Sequence, residues 1–190
     1  MITVTLAKQG ETLTFHSEAD PTAPRAEGEI TLAPGAWGPP THIHTRQRET
    51  FHVVSGRMVA VVDGVEHTVE EGERLIVQAG QAHTFGNASE TGELVVRGAV
   101  EPGLHFQWFL TEMANAANRG GGSWDDMPLL DAAYILFAVR REYRLTAMPG
   151  FVQDIVFGML AGVALLAGRA RRINPIGPGP AASERRTDRS

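Results

Sequence analysis

Residues 39–56 read PPTHIHTRQRETFHVVSG, and residues 70–87 read EEGERLIVQAGQAHTFGN. His42 and His44 are separated by one residue. On an extended chain that spacing aims both imidazoles at one face of a strand. Glu49, five residues after the second histidine, can join them around one cation, and His83 from a distant strand would close the site. Polar ligand types on an inward strand face are otherwise costly to bury, so their convergence decides how the chain is read.

The surroundings of both stretches are strand-like. ITVTL at the N-terminus alternates apolar and polar residues, and EGEITLAPG, ETFHVVSG, RMVAVVDG, VEHTVEEGE, RLIVQAG, AHTFGN and GELVVRGAV follow at short intervals. Asp63-Gly64 between two apolar runs is a hairpin signal, since both residues tolerate positive φ. Residues 1–103 therefore read as an antiparallel β-sandwich or barrel. Strand parity places Phe51 and Val53 with Glu49, and Phe85 with His83, so these three are expected to line a cavity beside the metal. His52 has the opposite parity and should face away. His16, His67 and His105 lack ligand partners at useful spacing and read as surface or structural histidines.

After Pro102-Gly103 the period changes. LHFQWFLTEMANAANR has Leu104, Trp108, Phe109 and Met113 at helical spacing. Ser123 with Asp126 resembles a helix N-cap, and MPLLDAAYILFAVRREYRL keeps a helical period throughout. A third helix is expected from Pro149-Gly150 to about Asn174-Pro175. Residues 104–174 are thus read as a helical extension packed on the barrel or on a dimer partner, and 175–190 as a flexible tail. The uncharged run IVFGMLAGVALLAG, residues 155–168, is shorter than the roughly 20 apolar residues a spanning helix needs. It is expected to pack internally or at a homodimer contact. Arg169, Arg171 and Arg172 at its end leave membrane association through 155–172 as the other option.

Composition sets bounds on function. Residues 1–168 carry 11 Lys/Arg against 20 Asp/Glu, an acidic body that argues against a nucleic-acid surface. No cysteine is present, which excludes disulfides, thiolate ligands and a cysteine nucleophile. The N-terminus lacks a basic segment followed by a long apolar stretch, so a cytoplasmic location is expected.

The two quoted stretches closely resemble the paired motifs of the cupin superfamily. In the first, His42, His44, Glu49 and Gly56 meet every spacing. In the second, Gly72, Gly80, His83 and Asn87 do so, with Gln78 where the family usually has proline. Ala36 stands where the family has glycine before the first histidine. These departures touch turn geometry and leave the ligands intact. The resemblance covers about residues 27–101 and implies a single-domain cupin: a mainly β, antiparallel jelly-roll barrel (double-stranded β-helix) with C-terminal α-helices. It implies that His42, His44, Glu49 and His83 hold one divalent transition metal. Three imidazoles and a carboxylate suit Fe, Mn, Ni, Cu, Co or Zn, with positions left open for water, dioxygen or substrate.

The apolar surroundings favour a metal-dependent dioxygenase for a small apolar or aromatic substrate, similar to quercetin-dioxygenase-like cupins, with Glu49 as a catalytic base. Two other readings keep the same site: a non-redox isomerase or lyase for a small polar acid, which needs polar groups such as Gln78, Thr84 or Arg57 in the pocket, and a binding module without turnover.

Overall fold

The computed structural model describes residues 1–177. Ten strands run through the first part of the chain: β1 (Ile2–Leu6), β2 (Glu11–Phe15), β3 (Ala26–Leu32), β4 (His42–His44), β5 (Arg48–Ser55), β6 (Met58–Val62), β7 (Val65–Val69), β8 (Arg74–Val77), β9 (Ala82–Asn87) and β10 (Leu94–Glu101). Their sequences favour this because branched and aromatic residues alternate with polar ones. One side chain in two then enters the core. In β2, Glu11, Leu13 and Phe15 are buried, and in β6, Met58, Ala60 and Val62 are. The Asp63-Gly64 turn behaves as expected. Both residues have positive φ, 50° and 79°, and Val62 pairs with Val65 across it.

The strands form two antiparallel sheets. One has the order β1-β2-β3-β10-β5-β8. The other contains β4-β9-β6-β7 and is extended at its β4 edge by an eleventh strand, β11 (Tyr143–Leu145). Their inward side chains, together with those of the helices, make one hydrophobic cluster. The chain is mainly β, with its helices after the barrel.

The helical extension differs from expectation in four places. Helix α1 (Phe106–Gly120) follows its predicted span and buries Trp108, Phe109 and Met113, but Leu104 lies before it with φ 45°. Ser123 caps a short 3-10 turn, Trp124–Asp126, accepting a hydrogen bond from the Asp125 N–H, and α2 (Leu129–Ala138) begins only after Pro128. The helical period of VRREYRL is overridden. The edge of β4 exposes unpaired backbone groups, and Tyr143–Leu145 pairs with it, Tyr143 opposite His44 and Leu145 opposite His42. Helix α3 (Gly150–Leu166) is shorter than expected, since Gly168 adopts a left-handed conformation and a 3-10 turn follows at Arg169–Arg172.

Helix α3 buries Phe157, Ala161 and Ala164, while Phe151, Ile155, Met159, Val163 and Leu166 are exposed. Among the described residues, no helix is long and apolar enough to cross a membrane. Arg169 is engaged by Asp131, 2.7 Å away, and Arg119 holds the same carboxylate at 3.2 Å. The buried Asp131 thereby ties α1 and α2 to the turn after α3. Of the tail expected at 175–190, residues 178–190 lie outside the described part.

Candidate metal centre

Each sheet contributes to the site. His42 and His44 are the ends of β4, and His83 of β9 sits directly opposite His42 in the ladder. Glu49 enters from β5 in the other sheet, where it, Phe51 and Val53 point inward and His52 does not. All four side chains are buried, and one ligand atom from each lies within 4.8 Å of the others. Glu49 Oε2 is 2.8 Å from His83 Nε2 and 3.2 Å from His44 Nε2. Two atoms bound about 2.1 Å from one cation lie about 3.0–3.4 Å apart at angles near 90–109°; the His44 spacing falls in that range, and the shorter His83 contact is a hydrogen bond that a cation would replace.

The hydrogen bonds around the imidazoles prepare the same arrangement. His42 Nδ1 donates to the Pro40 carbonyl at 2.9 Å, and His83 Nδ1 donates to the Gln81 carbonyl at 3.1 Å. That sets the orientation and tautomer that present Nε2 to a metal. His44 has neither arrangement: both its ring nitrogens are buried with no hydrogen-bond partner. An unpaired buried polar atom costs about 1–3 kcal/mol. A cation bound to His44 Nε2 would remove part of that cost, and on this ground the residues fit a metal.

The charges agree. Burial drives His42 well below the ordinary histidine range, and His83 and His44 push the same way, so it stays neutral. Burial alone would raise Glu49. The nearby His44 and the hydrogen bond to His83 outweigh it and hold the carboxyl below its usual range. For His83 the balance also runs against burial, because the bond to Glu49 raises it. His42 as a neutral imidazole and Glu49 as an ionised carboxylate are in the forms that bind metal, whereas at His83 a cation has to displace the proton shared with Glu49.

The two motif positions that depart from the family pattern, and the motif asparagine, have local explanations. Gln78 uses its N–H to donate to Gln81 Oε1 at 2.9 Å, a bond that proline cannot make. The Ala36 carbonyl accepts from the Asn87 N–H at 2.8 Å. Asn87 itself is a latch: its Nδ2 donates to the carbonyls of Leu32, Ala33 and Gly92.

Phe85 lines a cavity of about 20 Å³ beside His42 and Glu49. Phe51 stands behind it, its ring 4.8 Å from Phe85 and 6.2 Å from His83, and Val53 is fully buried in the core. Met58 and Trp108 are core residues and Trp37 is partly exposed at the surface. Thr84 donates to the Pro39 carbonyl, Gln78 is exposed, and Arg57 pairs with Glu70 at the surface. His105 is held by Glu142 at 2.7 Å.

Four residues beside the metal ligands escape a sequence reading. Tyr143, carried by β11, stacks on His42 with ring centres 4.7 Å apart, and Phe106 packs edge-on against His44 at 5.6 Å. Burial pushes the Tyr143 phenol far above its ordinary value, with the Glu49 charge adding to the effect. Glu11 of β2 lines the same cavity as His42 and Glu49, and its Oε2 accepts a 2.7 Å hydrogen bond from Trp124 Nε1. Its one legible signal is an acidic residue in register with Leu13 and Phe15, on the apolar face of a strand. Tyr143 and Trp124 carry no such signal, because both come from the extension.

Glu11 makes stability depend on pH. Burial pushes its carboxyl from 4.5 up to about 7, and the Trp124 hydrogen bond offsets this only in part. Between those values the folded chain holds a proton that the unfolded chain has lost. Stability is therefore greatest below the lower value and falls as pH rises through the upper one. At about 1.4 kcal/mol per pH unit the full effect is about 3 kcal/mol. Glu11→Gln has no such proton, so raising the pH from about 4.5 to about 8 should shift unfolding free energies in its favour relative to the wild type by up to that amount. A gap that stays constant across urea titrations at those pH values would contradict this account.

Residues 28–97 match the family model for the cupin domain, and this part of the chain is a cupin domain. No curated protein matches the chain. Solved structures that resemble it include KdgF from Halomonas sp., at 16% identity with a TM-score of 0.43, covering 49% of this chain and 81% of that one. A sugar phosphate isomerase of the cupin superfamily from Silicibacter pomeroyi is 24% identical with a TM-score of 0.44, covering 48% and 59% respectively. The Cnp3 cupin domain of Schizosaccharomyces pombe is 14% identical with a TM-score of 0.44, covering 62% and 76%.

Proposed function

We propose that the protein is a metal-dependent dioxygenase acting on a compact apolar or aromatic substrate. The observation that carries this reading is a chamber of about 220 Å³ between the barrel and the extension, lined by residues including Phe109, Met113, Trp124, Ala132 and Leu136. It shares Pro39, Leu110 and Tyr143 with the smaller cavity at His42 and Glu49. A dry apolar cavity of about 150 Å³ suffices for benzene. The chamber thus suits a single ring or a similarly compact body.

When bound, a redox-active metal would supply the affinity for dioxygen and the electrons that its activation needs. The chain's own residues do the rest. The apolar chamber walls hold the apolar body, and Tyr143 with Pro39 and Leu110 borders the passage to the ligands. Glu49 faces that passage as a carboxylate and is the base for a proton from the entering group. Among the described residues, no lysine or arginine lines the chamber or the metal-side cavity. An anionic sugar or acid would find no cationic side chain there to orient it beyond the metal itself, which favours an apolar body in the chamber.

The test is metal analysis of protein purified without chelators or a histidine tag, followed by oxygen uptake with catechol. About one transition metal per chain is expected, together with uptake that Ala132→Trp abolishes by filling the chamber while leaving the metal in place. Metal-replete protein that consumes no oxygen with catechols or flavonols would refute the dioxygenase, and protein unable to bind Fe, Mn or Ni would refute the metal centre as well.

A further inference from the structure

Glu11 is the one acidic side chain besides Glu49 that lines the metal-side cavity. It is 1% exposed, and its two oxygens are treated differently by the fold. Oε2 is fixed by the Trp124 indole N–H, whereas Oε1 is buried with no hydrogen-bond partner. Leu13, Ile30, Phe85, Phe106 and Leu110 around the same cavity offer no side-chain hydrogen bond. A buried carboxyl oxygen left unpaired is expensive, and packing does not require it, since an apolar residue would fill the position on β2 at lower cost.

The sizes of the two spaces say what Oε1 faces. The metal-side cavity, at about 20 Å³, has room for about one water-sized group, and the adjoining chamber of about 220 Å³ has room for a ring. A ligand occupying both would place one small polar substituent against Glu11, Glu49 and His42 and its apolar body among Phe109, Met113 and Leu136.

We propose that Glu11 is a substrate-binding residue whose free Oε1 anchors the hydroxyl group of a single-ring, hydroxyl-bearing ligand in the metal-side cavity. The Trp124 bond makes Oε2 the acceptor oxygen and leaves Oε1 as the position for the carboxyl proton. A protonated Oε1 donates to the hydroxyl oxygen. Glu49 lines the same cavity, so its carboxyl lies on another side of the hydroxyl group. Burial favours the protonated form of Glu11, as described above.

The inference rests on the chamber being the substrate site, but it does not depend on turnover. Its test is the binding of phenol and of toluene, which share a shape and differ in the hydroxyl, to the full chain by calorimetry, metal-loaded and metal-stripped. The wild type should bind phenol about tenfold more tightly than toluene, the effect of one hydrogen bond to a buried partner. Glu11→Leu should lose that preference with toluene affinity unchanged. Glu11→Gln, which keeps a donor at the same place, should restore most of it.

Equal losses for both probes in Glu11→Leu, or an unchanged phenol preference, would mean that Glu11 is structural and would overturn the assignment. Failure of the wild type to bind either probe would overturn it too. Metal content and oxygen uptake are read separately. A metal-free or inactive protein that still shows the phenol preference would therefore sink the dioxygenase while leaving this site standing.

Discussion

Replacing His44 with alanine is expected to weaken metal binding by more than about 100-fold, beyond what loss of a residue that merely supports a ligand costs. The reason lies in the particular state of this imidazole. His42 and His83 each satisfy one ring nitrogen on a backbone carbonyl, but both nitrogens of His44 are buried without a partner. The other claim on His44 is Glu49 Oε2 at 3.2 Å, and the same oxygen is closer to His83. His44 therefore contributes more to a bound cation than to the metal-free fold.

The variant should show this as a pattern in two measurements. Elemental analysis after dialysis should fall from about one metal per chain to near none. In thermal melts, the stabilisation of the wild type by added metal, which follows from binding to the folded chain alone, should largely vanish in His44→Ala. Metal-free wild type and variant should differ much less. If His44→Ala retains stoichiometric metal with an unchanged thermal response, the four-residue centre is wrong.

The second large effect is on stability. Phe51 is 1% exposed and lies between Phe85 and the back of His83, with ring centres 4.8 and 6.2 Å away. Truncating such a ring loses its transfer free energy and leaves a cavity that two sheets fixed by their ladders cannot collapse around. Phe51→Ala should cost about 3–5 kcal/mol, read from urea unfolding. For a chain of this size that is a fall in melting temperature of roughly 6–20 °C. A cost below about 1 kcal/mol would show that the ring is not packed as described. Metal affinity should fall as well, since His83 loses the wall behind its imidazole.

Much of the barrel was legible because its information is local. Alternation in ETLTF and MVAVV, the Asp63-Gly64 turn and the parity that separates His52 from Glu49 all follow from the two-residue period of a strand. The ligands were legible for a related reason. His42 and His44 share one short strand, and the barrel motif brings β5 and β9 to it. The extension was read less well. VRREYRL keeps a helical period, yet Tyr143–Leu145 is a strand, because an open edge on β4 is satisfied by whichever segment reaches it. Propensity yields to such pairing, and no window of sequence around residue 143 announces the need.

The sequence by itself determined the kind of site: four ligand residues, three histidines and a glutamate, at fixed spacing on inward strand faces, in a chain without thiols and with an acidic body. Their chemistry needed only identity and parity, which a one-dimensional pattern carries. The tertiary structure alone decided what surrounds them. Tyr143 over His42, Phe106 against His44, and Trp124 holding one oxygen of Glu11 all join residues far apart in the chain. Whether a carboxyl is left with one free oxygen beside a metal site depends on which side chains arrive from elsewhere, and packing in three dimensions settles that.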